Sequence, residues 1–157
     1  MKHKPVIRKV RSEAERKICA KLMAGSDPWI TLGITNEMIL RTLKDPLHET
    51  FIVLIDDQIV GTFVLQEKGA FTGYLKSIAV KKEWQGHNLG ELMMAFIEER
   101  FFSSGTNVFL CVSSFNKKAQ KFYKKLGYQE VGVLTDYVAK GYDEILMRKT
   151  KGPVLKK

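Results

Sequence analysis

The sequence predicts an α+β fold, with strands paired early in the chain and helices alternating with strands later. Three stretches carry that expectation. Phe51 to Ile55 and Ile59 to Gln66 are apolar, β-branched runs joined at Asp56-Asp57-Gln58, the pattern of a tight hairpin. Tyr74 to Val80 is a further run of strand formers, ended by Lys81-Lys82-Glu83 and followed by a small-residue turn and a periodic helix. Asn107 to Val112 repeats the arrangement, a strand leading through Asn116 into another helix.

Taken in order, Val6 to Val10 reads as a first strand. Ser12, with Glu15 three residues later, is a capping box that opens a helix through Ile18, Cys19, Leu22 and Met23, stopping near Gly25. Ser26 to Gly33 is polar and rigid, with an exposed Trp29 expected in it. Thr35 caps a short helix, Asn36 to Lys44, which Asp45-Pro46 ends. The hairpin follows, then a loop from Gly69 to Gly73 and the strand ending at Val80. In the long helix beyond the turn, Leu89, Leu92, Met93, Phe96, Ile97 and Phe101 fall on one face, with Glu91, Glu98, Glu99 and Arg100 off it. Ser104-Gly105 turns the chain into the Asn107 strand. In the next helix Ala119, Phe122, Tyr123 and Leu126 share a face, Asn116 caps the start, and Gly127 ends it in a left-handed conformation. Gln129 to Val138 and Asp143 to Lys149 close the chain as two strands around Lys140-Gly141, with Val131, Val133 and Tyr137 on one parity.

With 157 residues and 45% hydrophobic content, a single domain spanning 1–157 is expected. A chain of that size buries about two-thirds of the surface its unfolded form exposes. Cys19 and Cys111 give no disulfide framework, and His3, His48 and His87 have no metal-ligand spacing with them, so no metal is expected. No apolar run reaches the roughly 20 residues of a membrane span, and MKHKPVIRKVR lacks a signal peptide's apolar core. A cytoplasmic protein without membrane association is the expectation, as monomer or homodimer.

The net charge of +9 invites a nucleic-acid reading, and its distribution argues against one. Lys2, Lys4, Arg8, Lys9 and Arg11 at one end and Arg148, Lys149, Lys151, Lys156 and Lys157 at the other supply ten of the 26 basic residues; positions 12 to 147 carry sixteen basic against seventeen acidic, a balance of −1. The basic tails, about 1–5 and 151–157, read as solvated ends. Lys117, Lys118, Lys121, Lys124 and Lys125 on one helix, with Lys81 and Lys82 before the turn, form the more specific cluster, a face that attracts a polyanion or simply meets solvent.

The turn Gln85-Gly86-His87-Asn88-Leu89-Gly90 lets backbone N–H groups point outward at a helix start, which suits a phosphate; close packing alone would use the same glycines. Glu91 and Leu92 follow Gly90 where a P-loop needs Lys and Ser or Thr. Gln85, Asn88 and Gly90, together with Asn116, Ala119, Tyr123, Gly127 and Tyr128 in the later helix, resemble the two signature motifs of the GNAT superfamily of acyl-CoA N-acyltransferases. Asn88 departs from that pattern, standing where the family's loop has its first glycine; Asn tolerates a left-handed backbone and is also a good N-cap.

The resemblance implies a single mixed, mostly antiparallel sheet with helices on both faces, its fourth and fifth strands splayed. It also implies acetyl-CoA as co-substrate and direct transfer to a primary amine in a ternary complex, the acceptor being a small amine or a protein N-terminus or lysine. Backbone groups of Ile78, Ala79 and Val80 would bond the pantetheine arm. The N–H groups of Gln85, Gly86, His87 and Asn88, with Leu89, Gly90 and Glu91 at the helix start, would hold the pyrophosphate, and Asn116 and Ala119 would complete the cofactor side. Tyr123, which by spacing alone could be a core aromatic, would be the general acid, a phenol of pKa ~10 being protonated at neutral pH. Relatives in the ribosomal-protein and N-terminal branches carry a Glu general base at what aligns with Cys111. Here a small buried thiol is expected, leaving Glu49, Asp143, Glu144, a water or no dedicated base. Trp29 and Tyr137, with Tyr142, are candidate walls for the acceptor. The competing reading is a non-catalytic acyl-CoA-binding or nucleic-acid-associated module on the same fold.

Overall fold

A computed structural model describes residues 4–155. Of the basic tails, Lys2, Lys156 and Lys157 lie outside the described residues. The elements are β1 (Val6–Lys9), α1 (Glu13–Ala24), α2 (Asn36–Lys44), β2 (Glu49–Ile55), β3 (Gln58–Gln66), β4 (Tyr74–Val80), α3 (Leu89–Phe102), β5 (Asn107–Ser113), α4 (Lys117–Lys125), β6 (Gln129–Ala139) and β7 (Tyr142–Thr150). A single seven-stranded sheet runs β1-β2-β3-β4-β5-β7-β6. Every neighbouring pair is antiparallel except β4 and β5.

That parallel pair is short. It holds two register pairs, Tyr74 with Phe109 and Leu75 with Leu110, while the strands themselves run on to Val80 and Ser113. Beyond Leu75 and Leu110 the sheet opens between its fourth and fifth strands, as the resemblance implied.

The two faces carry separate cores. Met93, Met94, Ile97 and Phe101 of α3 and Tyr123 of α4 pack with Phe63, Leu75, Leu110 and Val112 on one side. Cys19, Met23, Ile39 and Leu43 of α1 and α2 pack with Ile52, Val64 and Ala79 on the other.

Several local expectations change. Leu92 is 39% exposed and Met94 takes its place in the core. The ridge Leu89, Met93, Ile97 and Phe101 advances by about 40° per i+4 step, toward Met94 and away from Leu92. Ser12 does cap α1, its Oγ accepting from Glu15 N at 3.1 Å. The Glu15 carboxylate, however, turns outward, accepting from Arg11 N at 2.7 Å and from Arg8 at 2.7 Å and 3.1 Å. The Arg8 guanidinium, helped by the Arg11 amide, holds the Glu15 pKa down at about 2. The hairpin loop is Asp56-Asp57, both with positive φ (49° and 62°), since Gln58 already pairs with Ile55. Trp29 is half-buried against the α1–α2 core rather than exposed; Ile30, at 59%, takes the outward position. The imperfect alternation of β6 has a simple cause: it is the edge strand, it is open to solvent on both faces, and its register shifts twice.

Arg8, Lys9 and Lys149 are not loose tail charges. They sit in β1 and β7 and pair with Glu15, Glu49 and Glu98 at 2.7, 2.7 and 2.8 Å.

Candidate active site

The opening in the sheet is the centre of a cavity of about 660 Å³. Its lining comes from both faces: Leu110, Val112, Ala119 and Tyr123 from the α3–α4 side, and Met23, Trp29 and Ile39 from the α1–α2 side. The cavity therefore passes through the sheet, which only a sheet with separated strands permits. Ile78, Asn116, Tyr137 and Glu144 also line it, so seven of the candidates named from sequence meet there: Trp29, Ile78, Asn116, Ala119, Tyr123, Tyr137 and Glu144. Ala79, Val80 and the turn from Gln85 to Glu91 lie outside that lining, at the far end of β4.

Strand alternation decides what β4 presents to the opening. Lys81 N donates to Val60 O on β3 at 2.9 Å, which directs the amide of Ala79 to β3 as well and leaves the backbone edges of Ile78 and Val80 toward the gap. Ala79 is 8% exposed, its side chain in the α1–α2 core. The Gln85 side chain folds back, Nε2 donating to Val80 O at 3.2 Å.

After a 3-10 turn, Lys82–Trp84, the chain enters α3 through Asn88, which has φ 59° and ψ 17°. Asn88 fills the left-handed role expected of it and not the capping one, because its side chain makes no cap hydrogen bond. Gln85 N is used within the 3-10 turn, donating to Lys82 O at 3.2 Å. From Gly86 to Glu91 no N–H donates to another described residue. A run of unpaired amides at a helix N-terminus can cradle an anion, with the positive end of the α3 dipole adding to the attraction. Gly90 has a second duty: a Cβ there would lie 3.2 Å from the Phe122 ring, so the glycine lets α3 start against α4. Leu89 is 2% exposed and offers only its backbone.

If the backbone at Asn88 is what shapes this turn, Asn88→Gly should retain affinity for a phosphate-bearing ligand and Asn88→Val should lose it, since a β-branched residue is penalised at positive φ. Titration of CoA by calorimetry checks this; equal affinity in both variants would show the left-handed conformation to be dispensable.

On α4, Asn116 Oδ1 accepts from Ala119 N at 3.1 Å and caps the helix. Gln120 emerges as a site residue only in the fold. It is 6% exposed, with Nε2 donating to Ser113 O at 3.1 Å and Ser114 O at 3.0 Å, tying α4 to the end of β5. Its only sequence signal is an uncharged amide among lysines. Tyr123 is 6% exposed, edge-on to Phe122 and Tyr128, and its hydroxyl makes no hydrogen bond with any described residue. Burial raises its pKa well above an ordinary phenol, so it remains protonated throughout the working range. The α4 lysines Lys117, Lys118, Lys121, Lys124 and Lys125 are exposed, Lys124 pairing with Glu130 at 2.9 Å.

Glu49 accepts from Lys9 and Arg100, both at 2.7 Å; burial opposes the shift, but these cations hold its carboxyl below the usual range, and it does not line the cavity. Asp143 Oδ1 accepts from Asp136 N at 3.1 Å and also lies off the lining. Tyr142 packs edge-on to Phe115 instead of walling the cavity. Cys111 is half-buried and faces the cavity, with burial raising its pKa and the Tyr74 hydroxyl on its sulfur. A neutral thiol there cannot stand in for a carboxylate. Among the described residues no group of three or more His, Cys, Asp or Glu is placed to hold a metal, and no helix is long and apolar enough to cross a membrane.

The structure thus joins a single sheet opened between its one parallel pair, a run of unpaired amides at the start of the next helix and a protonated phenol beneath the opening. The sequence profile of the acetyltransferase (GNAT) family matches residues 16–128, and the chain belongs to that family. An uncharacterized N-acetyltransferase of Methanocaldococcus jannaschii is 32% identical over 111 residues, 67% of this chain and 70% of the relative. An N-alpha-acetyltransferase of Sulfurisphaera tokodaii is 30% identical over 120 residues, 67% of this chain and 71% of the relative. Among solved structures, an aminoglycoside 6'-N-acetyltransferase complexed with coenzyme A superposes with a TM-score of 0.74 at 18% identity, covering 96% of this chain and 99% of that one, a likeness of fold.

Proposed function

We propose that the protein transfers the acetyl group of acetyl-CoA directly to a primary amine within a ternary complex, and that the preferred acceptor is the α-amine of a polypeptide. The through-sheet cavity carries the reading, because it gives two reactants separate approaches to one opening. The cradle from Gly86 to Glu91 fits a pyrophosphate, and the edges of Ile78 and Val80 fit an amide-bearing arm. Acetyl-CoA supplies an acetyl group activated as a thioester. Tyr123 holds the proton that the departing sulfur needs, in a buried position where no neighbour competes for it. Trp29 and Leu32 on one side and Tyr137 and Val138 on the other form a partly apolar approach suited to peptide side chains. The relative from Sulfurisphaera tokodaii, matched along the sequence, is named for α-amine acetylation, whereas the aminoglycoside enzyme matches by fold alone.

The test is thiol release from acetyl-CoA with a hexapeptide bearing a free α-amine, the same peptide blocked at its N-terminus, spermidine and an aminoglycoside. The expected result is a kcat/KM for the free peptide at least tenfold above the other amines and none for the blocked one. Preference for spermidine or the aminoglycoside would overturn the acceptor, and no release with any amine would overturn the reaction.

A further inference from the structure

We propose that Glu144 is the general base, taking the proton of the acceptor ammonium from the face of the sheet opposite Tyr123. This rests on the acetyltransferase reading and adds the residue that reading leaves open. Val108, Leu110 and Val112 point to the α3–α4 core, so alternation turns Cys111 and Ser113 to the α1–α2 face. On β7, Ile145 and Met147 belong to the α3–α4 core, and Glu144 projects the other way. Ser113 and Glu144 are register partners, and Ser113 Oγ donates to Glu144 Oε1 at 2.6 Å. The carboxylate is 5% exposed, lines the cavity, and forms no ion pair among the described residues. A structural buried carboxylate is ordinarily paired with a cation. Here the carboxylate has acceptor capacity beyond the Ser113 bond and lines the cavity, where an ammonium would arrive.

The surroundings agree. Burial raises the pKa of Cys111 on β5 and of Tyr74 on β4, which keeps both neutral at working pH; Tyr137 of β6 also faces the cavity, and Lys76 is the cation that β4 contributes to its lining. Across the cavity, Asp27 is engaged by Thr31 at 2.6 Å, Asp45 by Leu47 N at 2.8 Å and His48 by Thr42 O at 2.8 Å, with Arg41 beside them on α2. Burial raises the Glu144 pKa, opposed by the Ser113 hydrogen bond. A raised carboxyl is a stronger base than an exposed one.

The ammonium N–H proton passes to Glu144; the freed lone pair forms the C–N bond as the C–S bond breaks. Tyr123 protonates the sulfur and is reprotonated by the second N–H of the attacking nitrogen, while Glu144 releases its proton to water.

Glu144→Gln keeps the size of the side chain and an acceptor for Ser113. With acetyl-CoA and the free-amine hexapeptide, kcat should fall about 10²–10⁴-fold. The wild-type rate should rise with pH through the carboxyl's pKa and then level. In Glu144→Gln the levelling should vanish, the rate climbing with unit slope toward the amine's own pKa. Ser113→Ala removes a bond that favours the charged form, so its acidic limb should move to higher pH. Wild-type turnover and pH profile in Glu144→Gln would overturn the assignment, as would loss of the acetyl-CoA-induced melting shift in parallel with activity, the mark of a structural role. No thiol release by the wild type with any amine would instead remove the acetyltransferase reading, and this assignment with it.

Discussion

Tyr123→Phe is expected to lower kcat by about 10²–10⁴-fold while leaving the melting temperature and acetyl-CoA affinity close to wild type. The ring is retained, so its edge-on contacts with Phe122 and Tyr128 survive. The hydroxyl has no hydrogen-bond partner among the described residues, so removing it strands none there; the ~1–3 kcal/mol cost of an orphaned partner does not arise. Only the proton is lost. A structural tyrosine would give the reverse, a lower melting temperature with turnover intact. Measuring thiol release and thermal unfolding on the same preparation separates the two, and unchanged turnover would retire Tyr123 as the acid.

The second large effect concerns the turn before α3. A ligand that binds only the native state at 100 times its Kd stabilises it by about 2.7 kcal/mol. At ~2–4 °C per kcal/mol for a chain of this size, acetyl-CoA should raise the melting temperature by about 5–10 °C. Gly90→Asp should abolish most of that rise by placing a carboxylate among the amides that would face a pyrophosphate. Because a Cβ at Gly90 would press on the Phe122 ring at 3.2 Å, Gly90→Ala is the necessary companion. The expected pattern is a lower melting temperature in both variants, with the ligand-induced rise surviving in Gly90→Ala and lost in Gly90→Asp. A full rise in Gly90→Asp would exclude the turn from phosphate binding.

Element type was legible wherever a local signal governed it: caps at Ser12, Thr35 and Asn116, the Asp56-Asp57 turn, and the left-handed Gly127 after α4. The opening in the sheet was legible only through the family's motifs, because nothing in the composition of β4 or β5 says where their pairing stops. What escaped local reading depends on tertiary neighbours. Gln120 is buried because β5 ends beneath it with two carbonyls to satisfy, and Leu92 is exposed because the α3 ridge drifts away from it. Glu144 could be named among several acids, but its isolation from cations and its face of the sheet depend on the register of β5 with β7.

The brevity of the β4–β5 ladder has a mechanical consequence. With two register pairs between them, the half-sheet β1–β4 and the half-sheet β5–β7 are not held together chiefly by backbone hydrogen bonds. What spans them is α3, whose Met93, Met94, Ile97 and Phe101 share one core with residues of β2 through β5 and β7. The aperture is thus set by the volume of side chains lying across it, as a wedge sets the angle of a split beam. Methionine is the most deformable of the large apolar residues, and two of the four are methionines. Its width is a packing property, adjustable by substitutions on α3 that touch neither reactant.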